Sequence, residues 1–202
     1  MTKMLWILGG LVAIAAVLLL FASFRFSNIE TPKYTVLRKI GEVEIRSYPS
    51  MNVAQTSLNS ASFDSEGSNG FRAIASYIFG ANESSQKIAM TAPVVMEMGD
   101  SSRMHFVMPS AYDLEALPRP NSSRVQILEK PAQTLAVLSY GGFSDDDKIA
   151  KHCEELKTTL AAEGIQTRGA YLYMGYNSPW DVVNRRNEVA IEVLMDGTAL
   201  AH

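Results

Sequence analysis

The sequence is poor in the side chains that bind metals and form disulfides. It contains one cysteine, Cys153, and three histidines. A single cysteine excludes an intramolecular disulfide and a zinc site built from cysteines. The chain also lacks the phosphate-binding, dinucleotide-binding and nucleophile-elbow motifs, and the H-E-x-x-H pair of metalloproteases. Without these motifs, the sequence shows no set of nucleophile, base and orienting group. It therefore predicts a protein that is not an enzyme and holds no metal cluster.

Positive charge is in slight deficit. Lysine and arginine total 18 against 21 aspartates and glutamates, and no basic run occurs anywhere in the chain. Proteins that bind nucleic acid concentrate basic side chains on one face or along one helix. We therefore expect no nucleic-acid partner.

One long stretch carries no charge at all. Residues 5–24 are 20 uncharged, mostly apolar residues between Lys3 and Arg25. At about 1.5 Å per residue, such a helix matches the roughly 30 Å hydrocarbon core of a bilayer. A cleaved signal peptide is the alternative, but its apolar region is usually shorter, and Ala22-Ser23 is a poor cleavage site. We expect residues 1–24 to be a single-pass membrane anchor inserted through residues 5–24, residues 25–33 a linker, and the following domain extracytoplasmic or periplasmic.

The remaining chain alternates strand-like and helix-like patterns, and the order occurs twice. Helices are predicted at 62–79, and from Ser144 to Gly164. Strands are predicted at 34–40, 42–48, 51–58, 87–98, 104–108, 125–128, 135–140, 170–176 and 188–195. Apart from the first strand, each half contains strand, strand, helix, strand and strand. This order predicts an α+β domain in which an antiparallel sheet or distorted β-barrel with an internal pseudo-twofold carries two helices.

Residues 87–98, K-I-A-M-T-A-P-V-V-M-E-M, are apolar at every even position. This period of two predicts a half-buried strand. Pro93 cannot donate a ladder hydrogen bond, so the strand is expected to be kinked, bulged or at a sheet edge there. Five of the ten methionines lie between residues 90 and 108. The simpler interpretation is that these methionines fill an irregular core, and the alternative is that they form the wall of a site for a large apolar ligand.

The histidines show no arrangement for catalysis. His105 alternates with Met104 and Phe106, so it is predicted to face solvent if those two face the core. His152 adjoins Cys153 on a predicted helix, where neighbouring side chains point about 100° apart. The pair therefore cannot converge as a Cys-His dyad.

Seven segments, in this order, resemble the SOUL haem-binding family. They are E-I-R-S-Y at 44–48, Y-I-F-G-A-N at 77–82, K-I-A-M-T-A-P-V at 87–94, F-V-M-P-S at 106–110, Y-G-G-F-S at 140–144, G-Y-N-S-P-W at 175–180 and N-R-R-N-E-V at 184–189. The resemblance covers about residues 34–195 and leaves 196–202 as a tail.

The resemblance implies two β-α-β-β-type halves in a distorted antiparallel barrel, with haem or a related tetrapyrrole bound in an apolar groove beside the first helix. The implied cofactor-binding residues on that helix are Ser68, Phe71, Ala75 and Ile78, with Arg72 as the candidate partner of a propionate. Met90 is expected as a further wall residue. Part of the family has a proposed iron-ligating histidine where this chain has Ser47, so no axial ligand carries over.

The sequence thus favours a membrane-anchored, non-catalytic haem- or tetrapyrrole-binding protein for haem buffering, carriage or delivery. The alternative is a module of the same fold that binds an effector or another small apolar ligand and does not use haem.

Overall fold

A computed structural model describes residues 29–178, 181 and 183–194. The predicted membrane anchor at 5–24 and the tail at 196–202 lie outside these residues. Within the described residues the helices are α1 (Phe63–Ile78) and α2 (Asp146–Ala162), with a short 3₁₀ helix at Leu114–Ala116. Within the described part of the chain, no helix combines the length and the apolar character needed to cross a bilayer.

Nine strands form a single antiparallel sheet, which confirms the predicted α+β class. They are β1 (Thr35–Ile40), β2 (Val43–Tyr48), β3 (Met51–Ser57), β4 (Val94–Met98), β5 (Arg103–Val107), β6 (Val125–Lys130), β7 (Gln133–Gly141), β8 (Thr167–Gly175) and β9 (Arg186–Val193). Their order across the sheet is β1-β2-β7-β9-β8-β4-β5-β3-β6.

This strand order has the twofold symmetry that the repeated pattern predicts. Exchanging β2 with β6, β3 with β7, β4 with β8 and β5 with β9 gives the same order read backwards, with β1 as the extra strand. The centre of the symmetry is the β4–β8 pair, where Val95 lies opposite Met174. The first strand of each half lies beside the second strand of the other half, since β2 pairs with β7 and β6 with β3.

The helices begin and end where the sequence signals predict. The Ser62 side chain accepts a hydrogen bond from the backbone N–H of Ser65 at the start of α1. Gly80, with φ of +113°, follows its end and adopts a conformation that side chains disfavour. Asp145 caps α2 in the same way by accepting from the N–H of Lys148.

Both helices pack on one face of the sheet, and the other face has a core of its own. Ile74 and Ile78 of α1 are 0% and 1% exposed, and the buried side of α2 is formed by Ile149, Leu156 and Leu160. The opposite face carries a buried cluster of Tyr48, Val95, Leu135, Val137, Leu172, Met174 and Ala190. Because these residues are buried on the side away from the helices, the sheet must curl around them, as a distorted barrel does.

The methionine-rich segment differs from its prediction. The strand begins at Val94 rather than residue 87, and the preceding residues are irregular, with a cis Ala92–Pro93 peptide bond. The strand lies in the middle of the sheet between β8 and β5, so Pro93 marks its start and not a sheet edge. Met96 and Met104 are 1% and 2% exposed. They fill the core, as the simpler interpretation of the methionines predicts.

Candidate functional site

The five predicted helix positions share one face of α1 but differ in depth. At about 100° per residue they span roughly a third of the helix circumference. Ser68 and Arg72 are exposed and Phe71 is half-buried, whereas Ala75 and Ile78 are only 7% and 1% exposed. The exposed members therefore border this face, and the buried members form its floor.

Met90 lies outside α1, in the irregular segment that precedes β4. Phe71, Met90 and Val94 are partly buried and pack against the same core cluster beneath α1. The Phe71 ring lies 5.3 Å from the Phe106 ring at an angle of 50°. We call Phe71, Met90 and Val94, with Ser68 and Arg72 beside them, the α1 strip. It is a partly exposed apolar surface with an aromatic floor.

Arg72 supplies the positive charge of the α1 strip. Its Nε donates to the Ser68 carbonyl oxygen at 3.2 Å, and its Nη2 donates to Oδ1 of Asn69 at 2.8 Å. Both acceptors are neutral, so these contacts hold the guanidinium along the helix without cancelling its charge. The guanidinium can therefore exchange them for the carboxylate of a ligand.

The prediction that His105 faces solvent is wrong. His105 does lie on the side of β5 away from Met104 and Phe106, as alternation requires, but it is only 4% exposed. That side is the inner face of the curled sheet. His152, on α2, stacks on Tyr140 with ring centres 4.0 Å apart. Among the described residues, neither histidine belongs to the cluster beneath the α1 strip.

The inner face contains a cavity of about 110 Å³. Its walls are the rings of Tyr34, Tyr48 and Tyr176 together with aliphatic side chains, and His105 also lines it. Burial raises the pKa of Tyr48 above its ordinary value. Thr31, Gln133 and Arg186 add polar groups, so the cavity is a small space with apolar and phenolic walls and several polar side chains at its edge.

A fully buried carboxylate lies beside this cavity. Glu188 is 0% exposed and accepts hydrogen bonds from Arg46, Arg186, Tyr176 and Ser139 at 2.7 to 3.0 Å. Burial alone would raise the pKa of Glu188, but the hydrogen bond from Tyr176 and the charges of Arg46 and Arg186 outweigh burial and lower it. Glu188 is thus an ionised carboxylate between two arginines, and Glu44 pairs with Arg46 as well, at 2.8 Å.

The two arginines are held by aromatic rings as well. The Arg46 guanidinium lies 4.4 Å from the centre of the Tyr34 ring, and that of Arg186 lies 4.2 Å from the Tyr176 ring. In the sequence, Arg46 and Glu188 are distinguished only as letters of two family-like segments. Both lie in strands that contain other charged residues, Glu44 in β2 and Glu192 in β9, so no local pattern marks the buried ion pair.

The fold and these surfaces define an α+β protein with two helices on one face of a curled antiparallel sheet and an apolar strip along the first helix. The family model described as SOUL heme-binding protein matches residues 29–192. The chain belongs to the SOUL haem-binding family, as the sequence segments predict.

Two relatives and one solved structure show how far the similarity extends. Heme-binding protein 2 of Homo sapiens is 35% identical over 158 residues, which cover 74% of this chain and 77% of that protein. Heme-binding protein 1 of Xenopus laevis is 25% identical over 154 residues, covering 72% and 80%. The EcmrR C-terminal domain superposes with a TM-score of 0.58 at 12% identity, covering 81% of this chain and 99% of that one. At that identity the likeness concerns the fold alone.

Proposed function

We propose that this protein binds haem or a related tetrapyrrole on the α1 strip. The observation that carries the proposal is that the partly buried apolar side chains of Phe71 and Met90 occur in one strip with the guanidinium of Arg72, whose hydrogen-bond acceptors Ser68 and Asn69 are neutral. A porphyrin combines an apolar ring with carboxylate side chains, so it needs this combination. The family membership and the names of the relatives support the same ligand.

The residues of the α1 strip are better suited to contact the porphyrin ring than to ligate the haem iron. Phe71 and Met90 would contact the ring face, and Arg72 would pair with a propionate in the bidentate geometry that arginine favours. A methionine thioether can bind haem iron, which makes Met90 the candidate ligand on this surface. When bound, haem would supply a redox-active iron, and the chain's residues would orient and shield it.

The size of the inner cavity also favours the α1 strip as the haem site. Pockets for drug-sized ligands are usually about 300–1,000 Å³, and the inner cavity has about 110 Å³. A tetrapyrrole is much larger than this cavity, whereas the α1 strip lies on the surface.

The proposed role is non-catalytic haem buffering, carriage or delivery at a membrane. The uncharged run at residues 5–24 supports a single-pass anchor in the lipid bilayer. The domain that follows would then work on the extracytoplasmic or periplasmic side. An anchored carrier would keep an apolar ligand close to the bilayer from which it is taken or to which it is passed.

The deciding experiment is a haem titration of the full chain in lipid nanodiscs, followed by the Soret band with excess albumin as competitor. We expect a saturable one-to-one shift, with empty nanodiscs as the blank. Phe71→Asp should weaken binding at least about tenfold, because a charge would face the ring. Phe143→Asp is the matched control, since Phe143 is 58% exposed and lies just before α2. A rise that never saturates, or an equal loss in both variants, would refute the proposal.

A second candidate is a module of this fold that binds an effector or another small apolar ligand instead of haem. The observation in its favour is Ser47, which lies in β2 where part of the family has a histidine. If an apolar fluorescent dye binds the α1 strip saturably, is lost in Phe71→Asp, and is not displaced by haem, this alternative replaces the first.

A further inference from the structure

His105 is buried and unsatisfied. Its Nδ1 has no hydrogen-bond partner among the described residues, although the side chain is almost entirely enclosed. Nearly all buried polar atoms in folded proteins have a partner. The imidazole of His105 also lines the inner cavity, so a polar group of a ligand that reaches this ring would be bound favourably there.

The cavity around His105 has the size of a single aromatic ring. Its volume is about 110 Å³, and an engineered apolar cavity of about 150 Å³ accepts benzene. Val95 is the direct neighbour of His105 across the β4–β5 ladder, and Leu172 and Met174 of β8 extend the same wall. The walls offer apolar and aromatic contacts that suit a flat ring.

The charged groups around this cavity disfavour the binding of a charged ligand. Arg186 lines the cavity, but Arg186 and Arg46 both pair with Glu188, and Arg46 also pairs with Glu44, so two carboxylates balance the two arginines. Burial and then the positive charge of Lys130 hold the pKa of His105 well below its ordinary value, so the imidazole is neutral. A charged ligand would lose its hydration without finding an uncompensated partner.

We propose that this inner cavity is a second ligand site, for a flat, uncharged molecule of about one aromatic ring that carries a hydroxyl. The hydroxyl would pair with the imidazole of His105, which lines the cavity. A hydroxyl both donates and accepts, so it satisfies either tautomer of a neutral imidazole. The site lies on the opposite side of the sheet from the α1 strip, so it is independent of haem binding.

The test uses phenol and toluene, which have nearly the same shape but differ in the hydroxyl. Binding to the full chain is measured by calorimetry, and the His105 imidazole is followed by ¹⁵N NMR. We expect phenol to bind one-to-one and about tenfold tighter than toluene, as one buried hydrogen bond allows. Only phenol should shift the His105 nitrogen resonances. Equal affinity for the two compounds, or binding of neither, would overturn the proposal.

Two variants and a competition experiment with haem complete the test. His105→Leu keeps an apolar wall, so it should retain toluene binding and lose the preference for phenol. His152→Leu, on α2, should keep that preference. If His105→Leu does not fold, the ¹⁵N shift of the wild-type protein decides. A phenol preference that survives in His105→Leu, or phenol binding abolished by saturating haem, would contradict a separate site at His105.

Discussion

Both oxygens of the Glu188 carboxylate lie 3.0 Å from Nη1 of Arg46, and the two side chains are 0% and 3% exposed. The pair connects β9 to β2 across β7, which lies between them in the sheet. Ser139 of that middle strand donates to the same carboxylate at 2.8 Å. Three neighbouring strands are thus fixed to one buried charge.

Replacing Arg46 with methionine should destabilise the fold strongly. Removing one partner of a buried ion pair costs about 3–5 kcal/mol, because the other charge stays buried. Arg186 still contacts Glu188 at 2.8 Å, so we expect the lower end of that range. The free energy of unfolding in urea measures the effect.

The matched control is Arg38→Met. Arg38 pairs with Glu163 at 2.7 Å, but the two side chains are 46% and 37% exposed, so the loss should stay below about 1 kcal/mol. The double variant Arg46→Met with Glu188→Leu should recover much of the lost stability. If Arg46→Met is no worse than the control, the buried pair does not contribute as the geometry indicates.

Stability should fall on acidification because of His105. Its folded-state pKa is held well below the ordinary value of 6.5, first by burial and then by Lys130. Below pH 6.5, His105 therefore binds a proton in the unfolded chain but not in the folded chain. The contribution of neutral His105 to the free energy of unfolding is complete only above that pH. The slope should approach about 1.4 kcal/mol per pH unit as pH falls from 6.5 towards the folded-state pKa.

Urea unfolding at pH 7.5, 6.5 and 5.5 checks this slope, with His105→Leu as the variant that should remove it. Glu188 affects stability at lower pH than His105, since its folded-state pKa lies below the ordinary value of 4.5. Its contribution is present above pH 4.5 and is lost as the pH falls below that value. The same slope in wild type and His105→Leu between pH 6.5 and 5.5 would show that His105 is not the group responsible.

Asp146→Ala should weaken the junction of the two helices. Asp146 belongs to the first turn of α2, yet its carboxylate accepts from the Ser62 hydroxyl and from the Phe63 backbone N–H, both at 2.6 Å. It therefore caps α1, and losing a cap of this kind costs about 1–2 kcal/mol. Asp147→Ala is the control, because Asp147 is exposed in the same turn. Thermal unfolding should separate the two variants by several degrees, and equal melting temperatures would contradict the assignment.

The two halves should unfold as one unit. Because β2 pairs with β7 and β6 with β3, each half needs a strand of the other to complete its sheet. Leu156→Ala in α2 should cost about 2–5 kcal/mol, since Leu156 is 0% exposed. Native-state hydrogen exchange should then show equal losses of protection in β5 and β9. Protection lost in β9 but retained in β5 would mean that the halves are independent.

The helices were predictable because their signals are local. Ser62 and Asp145 accept from N–H groups three residues ahead, and Gly80 lies just past the end of α1. The sequence therefore contains both ends of α1 and the start of α2 within a few residues. The repeated order of elements likewise predicted the twofold symmetry, since both halves could be compared directly.

The errors all concern contacts between distant residues. Alternation placed His105 on the correct side of β5, but the burial of that side depends on how nine strands curl together. The apolar alternation of residues 87–93 continues through a segment with no strand, where the Thr91 hydroxyl donates to the Val107 carbonyl oxygen instead. Arg46 and Glu188 are 142 residues apart in the chain, and only the strand order brings them together.

The exchange of first strands between the halves also bears on how such a chain could arise. A single half, made as a separate polypeptide, would present its first strand to the second strand of another copy. Two copies would then meet as a domain-swapped dimer with the contacts seen here across β2–β7, β3–β6 and β4–β8. Gene duplication and fusion would turn that dimer into one chain without a new interface. The connection between β5 and β6 would then be the linker between two former subunits.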